Sequence, residues 1–226
     1  LNVQVIIPAA GSGKRFGALK QFLSLQGKPV LIHTLSAFEQ SSLIKGICVV
    51  TLETEVSSTQ KMIQEAGFKK VHHVIAGGQE RQDSVKKGFR SLPPCDMVMV
   101  HDGVRPFVTQ EMIKTLVSTT KESGATIVGL PIKETLKKVR EGCIIDTVDR
   151  SEIWSIQTPQ AFRYDLLARA IQKAEIDHFL GTDEAMLVER MGVTVKIVLG
   201  SPYNIKITLP EDLRIAETLA QRQENI

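Results

Sequence analysis

The chain has 226 residues, 42% of them apolar and 23% charged, and its 28 Lys and Arg stand against 25 Asp and Glu for a formal charge of +3. That apolar share offsets the entropy of ordering and excludes a disordered chain, and no apolar run approaches the ~18 residues of a membrane span. The charge is too even for a nonspecific nucleic-acid binder, although a local basic patch still suits an anionic substrate.

Residues 1–8 carry neither a basic leader nor a small-residue cleavage site, so no signal peptide is expected. Cys48, Cys95 and Cys143 are odd in number and share no metal spacing. They read as reduced thiols of a cytoplasmic protein, plastid-type only if a transit peptide was removed. An enzyme or a nucleotide binder remains.

In chain order, residues 3–7, 47–52, 71–75, 97–100 and 126–130 are short apolar or β-branched runs, read as strands buried on both faces of a parallel sheet. Helical spacing lies between them: Leu31, Leu35 and Phe38; Val56, Ile63 and Ala66; Val85 and Phe89; Met112, Ile113, Leu116 and Val117. The alternation predicts an α/β sandwich with a mostly parallel sheet and right-handed crossovers. After Pro131 the rhythm changes: residues 135–140 and 143–148 flank Glu141-Gly142 as a hairpin with few core residues. Residues 132–152 are therefore expected to project as a β-arm from one domain spanning 1–226. Further helices are predicted over 166–174 and 184–191, strands over 193–199 and 204–208, and a last helix from Pro210, with Thr208 and Glu211 at capping-box spacing.

Three loops carry chemistry-bearing residues. Pro8-Ala9-Ala10-Gly11-Ser12-Gly13-Lys14-Arg15-Phe16 leaves the first strand at its carboxyl end, where open α/β sheets bind ligands. Small residues let phosphate approach backbone N–H groups, and Lys14, Arg15 and Lys20 add positive charge. It is not a P-loop, since Arg15 follows Lys14, and it is not the dinucleotide fingerprint, since Phe16 stands at the sixth position. Gly77-Gly78-Gln79-Glu80-Arg81-Gln82-Asp83-Ser84 reads either as a base or ribose cradle or as a turn with Asp83 or Ser84 capping a helix. Asp102, in His101-Asp102-Gly103-Val104-Arg105-Pro106, follows a strand directly, and either holds Mg²⁺ or ribose or caps the next turn. His33, His72, His73 and His178 show no ligand spacing.

These loops occur in order with Thr147-x-Asp149-Arg150, Thr158-Pro159-Gln160, Thr182-Asp183-Glu184-Ala185 and Asn204-Ile205-Lys206-Ile207-Thr208. Over nearly its whole length the chain thereby resembles the 2-C-methyl-D-erythritol 4-phosphate cytidylyltransferases of the non-mevalonate isoprenoid pathway. The resemblance implies a Rossmann-like nucleotidyltransferase fold and a homodimer joined through the 132–152 arm. It also implies cytidylyl transfer from CTP to the polyol phosphate with release of pyrophosphate, assisted by Mg²⁺ or another divalent cation held mainly by the CTP phosphates, with Asp102 as a further ligand. By motif match, Arg15, Lys20 and Lys206 would be catalytic. Pro8, Ala9, Ala10, Gly11, Ser12, Gly13, Gly78, Gln79, Ser84 and Asp102 would bind the nucleotide. Asp102, Gly103, Arg105, Thr182, Lys206 and Thr208 would bind the second substrate, with Thr135 and Arg150 reaching its phosphate from the neighbouring subunit. Gly103-Val104 and Gln79 depart from the usual family pattern. A ribitol 5-phosphate cytidylyltransferase and a non-catalytic nucleotide sensor are the alternatives. Neither a nucleic-acid nor a membrane partner is expected.

Overall fold

The computed structural model describes residues 1–11 and 17–224. The expectations for Ser12, Gly13, Lys14 and Arg15 fall outside the described residues.

The first strand sets the layering. In β1 (Val3–Pro8), Val3, Val5 and Ile7 turn to one face of the sheet and Ile6 to the other, and all four are fully buried. Alternation with apolar residues on both sides requires cover on both faces. A short antiparallel pair follows, β2 (Ser24–Leu25) and β3 (Lys28–Pro29), then α1 (Val30–Gln40), β4 (Ile44–Thr51), α2 (Val56–Glu65) and β5 (Val71–Ala76). Next come α3 (Arg81–Ser91), β6 (Met97–Val100), α4 (Gln110–Ser123) and β7 (Ala125–Pro131). Leu31 and Leu35 of α1, Ile63 of α2, and Met112, Ile113 and Leu116 of α4 pack with Val3, Val5 and Ile7. Val85 and Phe89 of α3 pack against the opposite face with Ile6, Val98 and Val100.

After β7 the chain leaves the sheet as β8 (Leu136–Arg140) and β9 (Cys143–Val148), the expected hairpin, and returns as β10 (Trp154–Arg163). α5 (Tyr164–Ile176), α6 (Glu184–Glu189), β11 (Lys196–Leu199) and α7 (Pro210–Glu224) complete it. Leu166, Leu167 and Ala170 of α5 and Leu187 and Val188 of α6 share the α3 face. Among the described residues, seven strands form one sheet in the order β11-β7-β10-β6-β1-β4-β5, parallel except for β10. From β1 the chain steps outward through β4 to β5, then crosses back to β6 on the other side of β1. That reversal opens a crevice beyond the carboxyl ends of β1 and β6. No described helix is long and apolar enough to cross a membrane.

Several expectations need correction. β5 is an edge strand with His72 and His73 exposed, not a strand buried on both faces. β10, antiparallel and central, is absent from the sequence reading. α6 stops at Glu189, β11 begins only at Lys196, and residues 204–208 form no strand. Ile207 N–H instead donates to the Val104 carbonyl (3.0 Å), which lays this segment across the loop after β6. Asp212 rather than Glu211 closes the start of α7, accepting from Thr208 N–H (2.7 Å), the Thr208 hydroxyl (2.7 Å) and Leu209 N–H (2.8 Å). At α3, Glu80 and Asp83 form a reciprocal capping box.

Candidate active site

Three loops converge on the crevice. Ala9 N–H donates to the Val50 carbonyl (2.7 Å), and the buried Gln21 amide donates to the Ala9 carbonyl (2.8 Å), fixing the start of the small-residue loop. Gly77 N–H donates to the Thr51 carbonyl (2.8 Å), which brings the second loop alongside. A Cβ at Gly77 would lie 2.6 Å from the Ala10 Cβ and 2.7 Å from the Ser84 hydroxyl, so only glycine permits this approach. Ser84 is buried, accepting from Gly78 N–H (3.1 Å) and donating to the Glu80 carbonyl (3.2 Å). Ser84 thus organises the loop that it was expected to lend to a ligand.

Between these loops lies a cavity of about 400 Å³ that Pro8, Ala9, Ala10, Gly11, Lys20, Gly78, Gln79 and Ser84 help to line. A second, of about 190 Å³, includes Arg105, Thr158, Gln160 and Thr182 in its lining. The two share a wall made of Arg81, Asp102 and Lys206. The structure therefore brings together most of the described residues expected to bind nucleotide or substrate. Four stand apart. Gly103 packs in the core against Ala9, Ile7 and Leu31, Thr208 spends both its donors on Asp212, and Thr135 and Arg150 are exposed on the arm, where Arg150 donates to the Lys133 carbonyl.

The shared wall is an ion cluster. Asp102 is 6% exposed, with Oδ1 3.2 Å from Arg81 Nε and Oδ2 2.8 Å from Lys206 Nζ and 3.7 Å from Arg105 Nε. Arg81 Nη1 reaches both oxygens of the buried Glu184, at 2.8 and 3.0 Å. Burial opposes ionisation of Asp102, but Arg81, Lys206 and Arg105 outweigh it and hold its carboxyl well below the usual carboxylate range. Burial pushes the Glu184 carboxyl up, against the pull of Arg81. Three cations, Arg81, Arg105 and Lys206, meet two carboxylates in this cluster.

Behind the wall, the fully buried His101 presents Nε2 to the Arg105 carbonyl (3.0 Å) and Nδ1 to the Thr158 hydroxyl (3.1 Å), which accepts from Asp102 N–H (3.0 Å). A carbonyl only accepts, so Nε2 carries the proton and Nδ1 accepts from Thr158. Burial pushes this imidazole down to about 4. The chain His101–Thr158–Asp102 thus ties the loop after β6 to β10.

Arg81, Glu184, Thr158 and His101 occur in the motifs but received no role from the sequence. One signal for Arg81 was present: it opens α3, where the helix dipole disfavours a cation, so it needs carboxylate partners.

A switch-point crevice with small-residue loops on one side and a cationic wall on the other defines a nucleotidyltransferase of the α/β class. The family model described as IspD, 2-C-methyl-D-erythritol 4-phosphate cytidylyltransferase, matches residues 3–222. The chain belongs to this family. It is similar to the enzyme of that description from Lysinibacillus sphaericus (47% identical, covering 99% of this chain and 97% of the relative). The same description applies to a relative from Halalkalibacterium halodurans, 42% identical and covering 99% of both chains. Among solved structures, 2-C-methyl-D-erythritol 4-phosphate cytidylyltransferase from Thermus thermophilus matches with a TM-score of 0.81 at 31% identity, covering 98% of this chain and 100% of that one.

Proposed function

We propose that the chain transfers the cytidylyl group of CTP to 2-C-methyl-D-erythritol 4-phosphate, giving 4-diphosphocytidyl-2-C-methyl-D-erythritol and pyrophosphate. The observation that carries this reading is the pair of cavities divided by one cationic wall. Two phosphorylated ligands, one in each, would meet at Arg81, Asp102 and Lys206. An oxygen of the polyol phosphate attacks the α-phosphorus of CTP, a new P–O bond forms, and the α–β bridging bond breaks in line to release pyrophosphate.

The nucleophile is a phosphate monoester whose second pKa is about 6, so it is ionised near neutral pH and needs no general base. His101, neutral and engaged on both nitrogens, is consistent with that economy. What the reaction needs is alignment of two anions that repel and compensation of charge gathering on the equatorial oxygens. Lys20 lines the larger cavity and Lys206 the wall. With Arg15 they would supply that compensation. Gly78, Gln79 and the Ala9–Gly11 backbone would hold the nucleoside.

Among the described residues, no group of three or more His, Cys, Asp or Glu side chains is placed to bind a metal ion. Asp102 has its oxygens directed at cations. This donor set fits a divalent cation that would enter on the triphosphate and be held chiefly by phosphate and water, with Asp102 as a further ligand. When bound, such an ion would supply charge neutralisation for the leaving pyrophosphate.

The test is pyrophosphate release by the purified chain with CTP and Mg²⁺, run in parallel with methylerythritol phosphate and ribitol 5-phosphate. Turnover with the first polyol is expected. Turnover with ribitol phosphate alone would reassign the substrate, and CTP binding without turnover on either would make the protein a sensor.

A further inference from the structure

We propose that Glu184 is a positioning residue for this reaction, acting through Arg81 to hold the Asp102 carboxylate in the wall between the cavities, so that Lys206 is the cation that changes partners when a phosphate arrives. The inference rests on the cytidylyl-transfer reading above.

Of the three cations around Asp102, the two that lie nearest, Lys206 and Arg81, are tied unequally, while Arg105 stands farther off at 3.7 Å. Arg81 bridges two carboxylates, with Nη1 on both oxygens of Glu184 (2.8 and 3.0 Å) and Nε on Asp102 (3.2 Å). A guanidinium is a rigid planar fork, so engaging it at Nη1 and Nε fixes its plane. Glu184 is only 1% exposed and is anchored in turn by its neighbours on α6. Ala185 N–H donates to the Gln160 side-chain carbonyl oxygen (3.2 Å), and the Gln160 amide donates to Asp183 (2.7 Å). The start of α6 is thereby bolted to β10, and Glu184 inherits a fixed position. Lys206 differs: its one carboxylate partner among the described contacts is Asp102, at 2.8 Å, and its side chain is 37% exposed, against 29% for Arg81.

An incoming phosphate therefore meets one cation held from behind and one held only by the carboxylate it competes with. Lys206 can swing to the phosphate. Asp102, still paired with Arg81, is then not left as a bare anion beside the anionic substrate. If the charge of Glu184 is removed, Arg81 loses its rear anchor and turns to the new anion, and Asp102 retains Lys206. The reacting groups are then misplaced, while the small-residue loop after β1, fixed by Val50 and Gln21, is untouched.

The experiment is a kinetic double-mutant cycle in the full-length enzyme with E184Q, R81K and the double variant. Steady-state pyrophosphate release is measured alongside calorimetric CTP binding. Misplacement by about 1 Å costs on the order of 10²-fold in rate. Each single variant should therefore lose about 10²-fold in kcat, and in E184Q, whose side chain lines neither cavity, the Kd for CTP should change by less than about threefold. Because both act as one unit, the double variant should be no more than about threefold worse than either single. Unchanged kcat in E184Q, multiplicative losses in the double variant, or a loss in CTP affinity of E184Q matching its loss in kcat would each overturn the proposal while leaving the assigned reaction standing. A wild-type enzyme without turnover would overturn both. Should E184Q fail to fold, E184A, which also removes the charge, replaces it in the cycle under the same criteria.

Discussion

Protonating His101 would demand a second N–H where the Thr158 hydroxyl already donates, and burial supplies no water to absorb the mismatch. Asp102 and Arg105 are the charged groups nearest this ring, and Phe38 meets it edge-on from α1 at 5.0 Å between centroids. The imidazole is held near 4 in the fold against an ordinary 6.5, so between those values the unfolded chain binds more protons. Stability therefore rises with pH across that window and falls as pH drops through it, by about 3 kcal/mol at most. Asp102, held low, loses its contribution only below its ordinary 3.8, so the two windows barely overlap. Thermal midpoints of the wild type should decline from pH 6.5 to pH 4, and H101N should flatten that slope. An unchanged slope in the variant would assign the pH response elsewhere.

At the same scale, the residues whose place beside the cavities was legible in the sequence were those set by their own loop, such as Ala10 after β1 or Asp102 after β6. Arg81 and Glu184 were not, because the partners of Arg81 lie 21 and 103 positions away in the chain. Local spacing carries no trace of such a pairing.

Among elements, α3 shows how tightly the site is backed. Gly88 sits where a Cβ would fall 2.7 Å from the Ile6 Cγ2 and 3.0 Å from the Val50 Cγ2. Replacing a helical glycine by alanine usually gains about 1 kcal/mol, but overpacking a core costs ~1–3 kcal/mol. Here the methyls belong to β-branched residues pinned on two sheet strands and cannot give way, so the cost prevails. G88A should lower the denaturant midpoint, by roughly 1–2 kcal/mol of stability, at constant m value; a higher midpoint would mean that β1 and β4 yield. The inner parallel strands and their covering helices were legible because continuous apolar runs and helical spacing report burial there, whereas at the edge strand β5 the same signal overstates it. β10 was not. It places Gln157, Thr158, Pro159 and Gln160 in its middle, polar residues and a proline that argue against a central strand, and the register shifts between Gln157 and Gln160. The break in pattern is where the strand serves the site.

At the scale of the whole molecule, the arm carries an apolar surface that the chain itself leaves uncovered. Val139 and Ile144 are register partners on β8 and β9, 59% and 65% exposed, and Ile145 on the next position is 54% exposed. Exposed apolar residues clustered this way suit the homodimer contact that the family resemblance implies. A second copy would cover them and bring Thr135 and Arg150 to its neighbour's site, as the family resemblance implies. V139D/I144D should sediment as a monomer and lose use of the polyol phosphate while retaining CTP binding. A monomeric wild type, or unaltered kinetics in the variant, would remove the arm from the chemistry.

The arm's root has a consequence of another kind. Pro131 stands opposite Trp154 in the ladder, and Ile132 N–H donates to the Ile153 carbonyl at 3.0 Å. The chain thus departs from the sheet and re-enters it through adjacent rungs. Residues 133–152 can lengthen, shorten or be traded for a tight turn without displacing any strand that carries the crevice. The hairpin is thus grafted onto the sheet at one place, and the frame of the crevice is independent of its length.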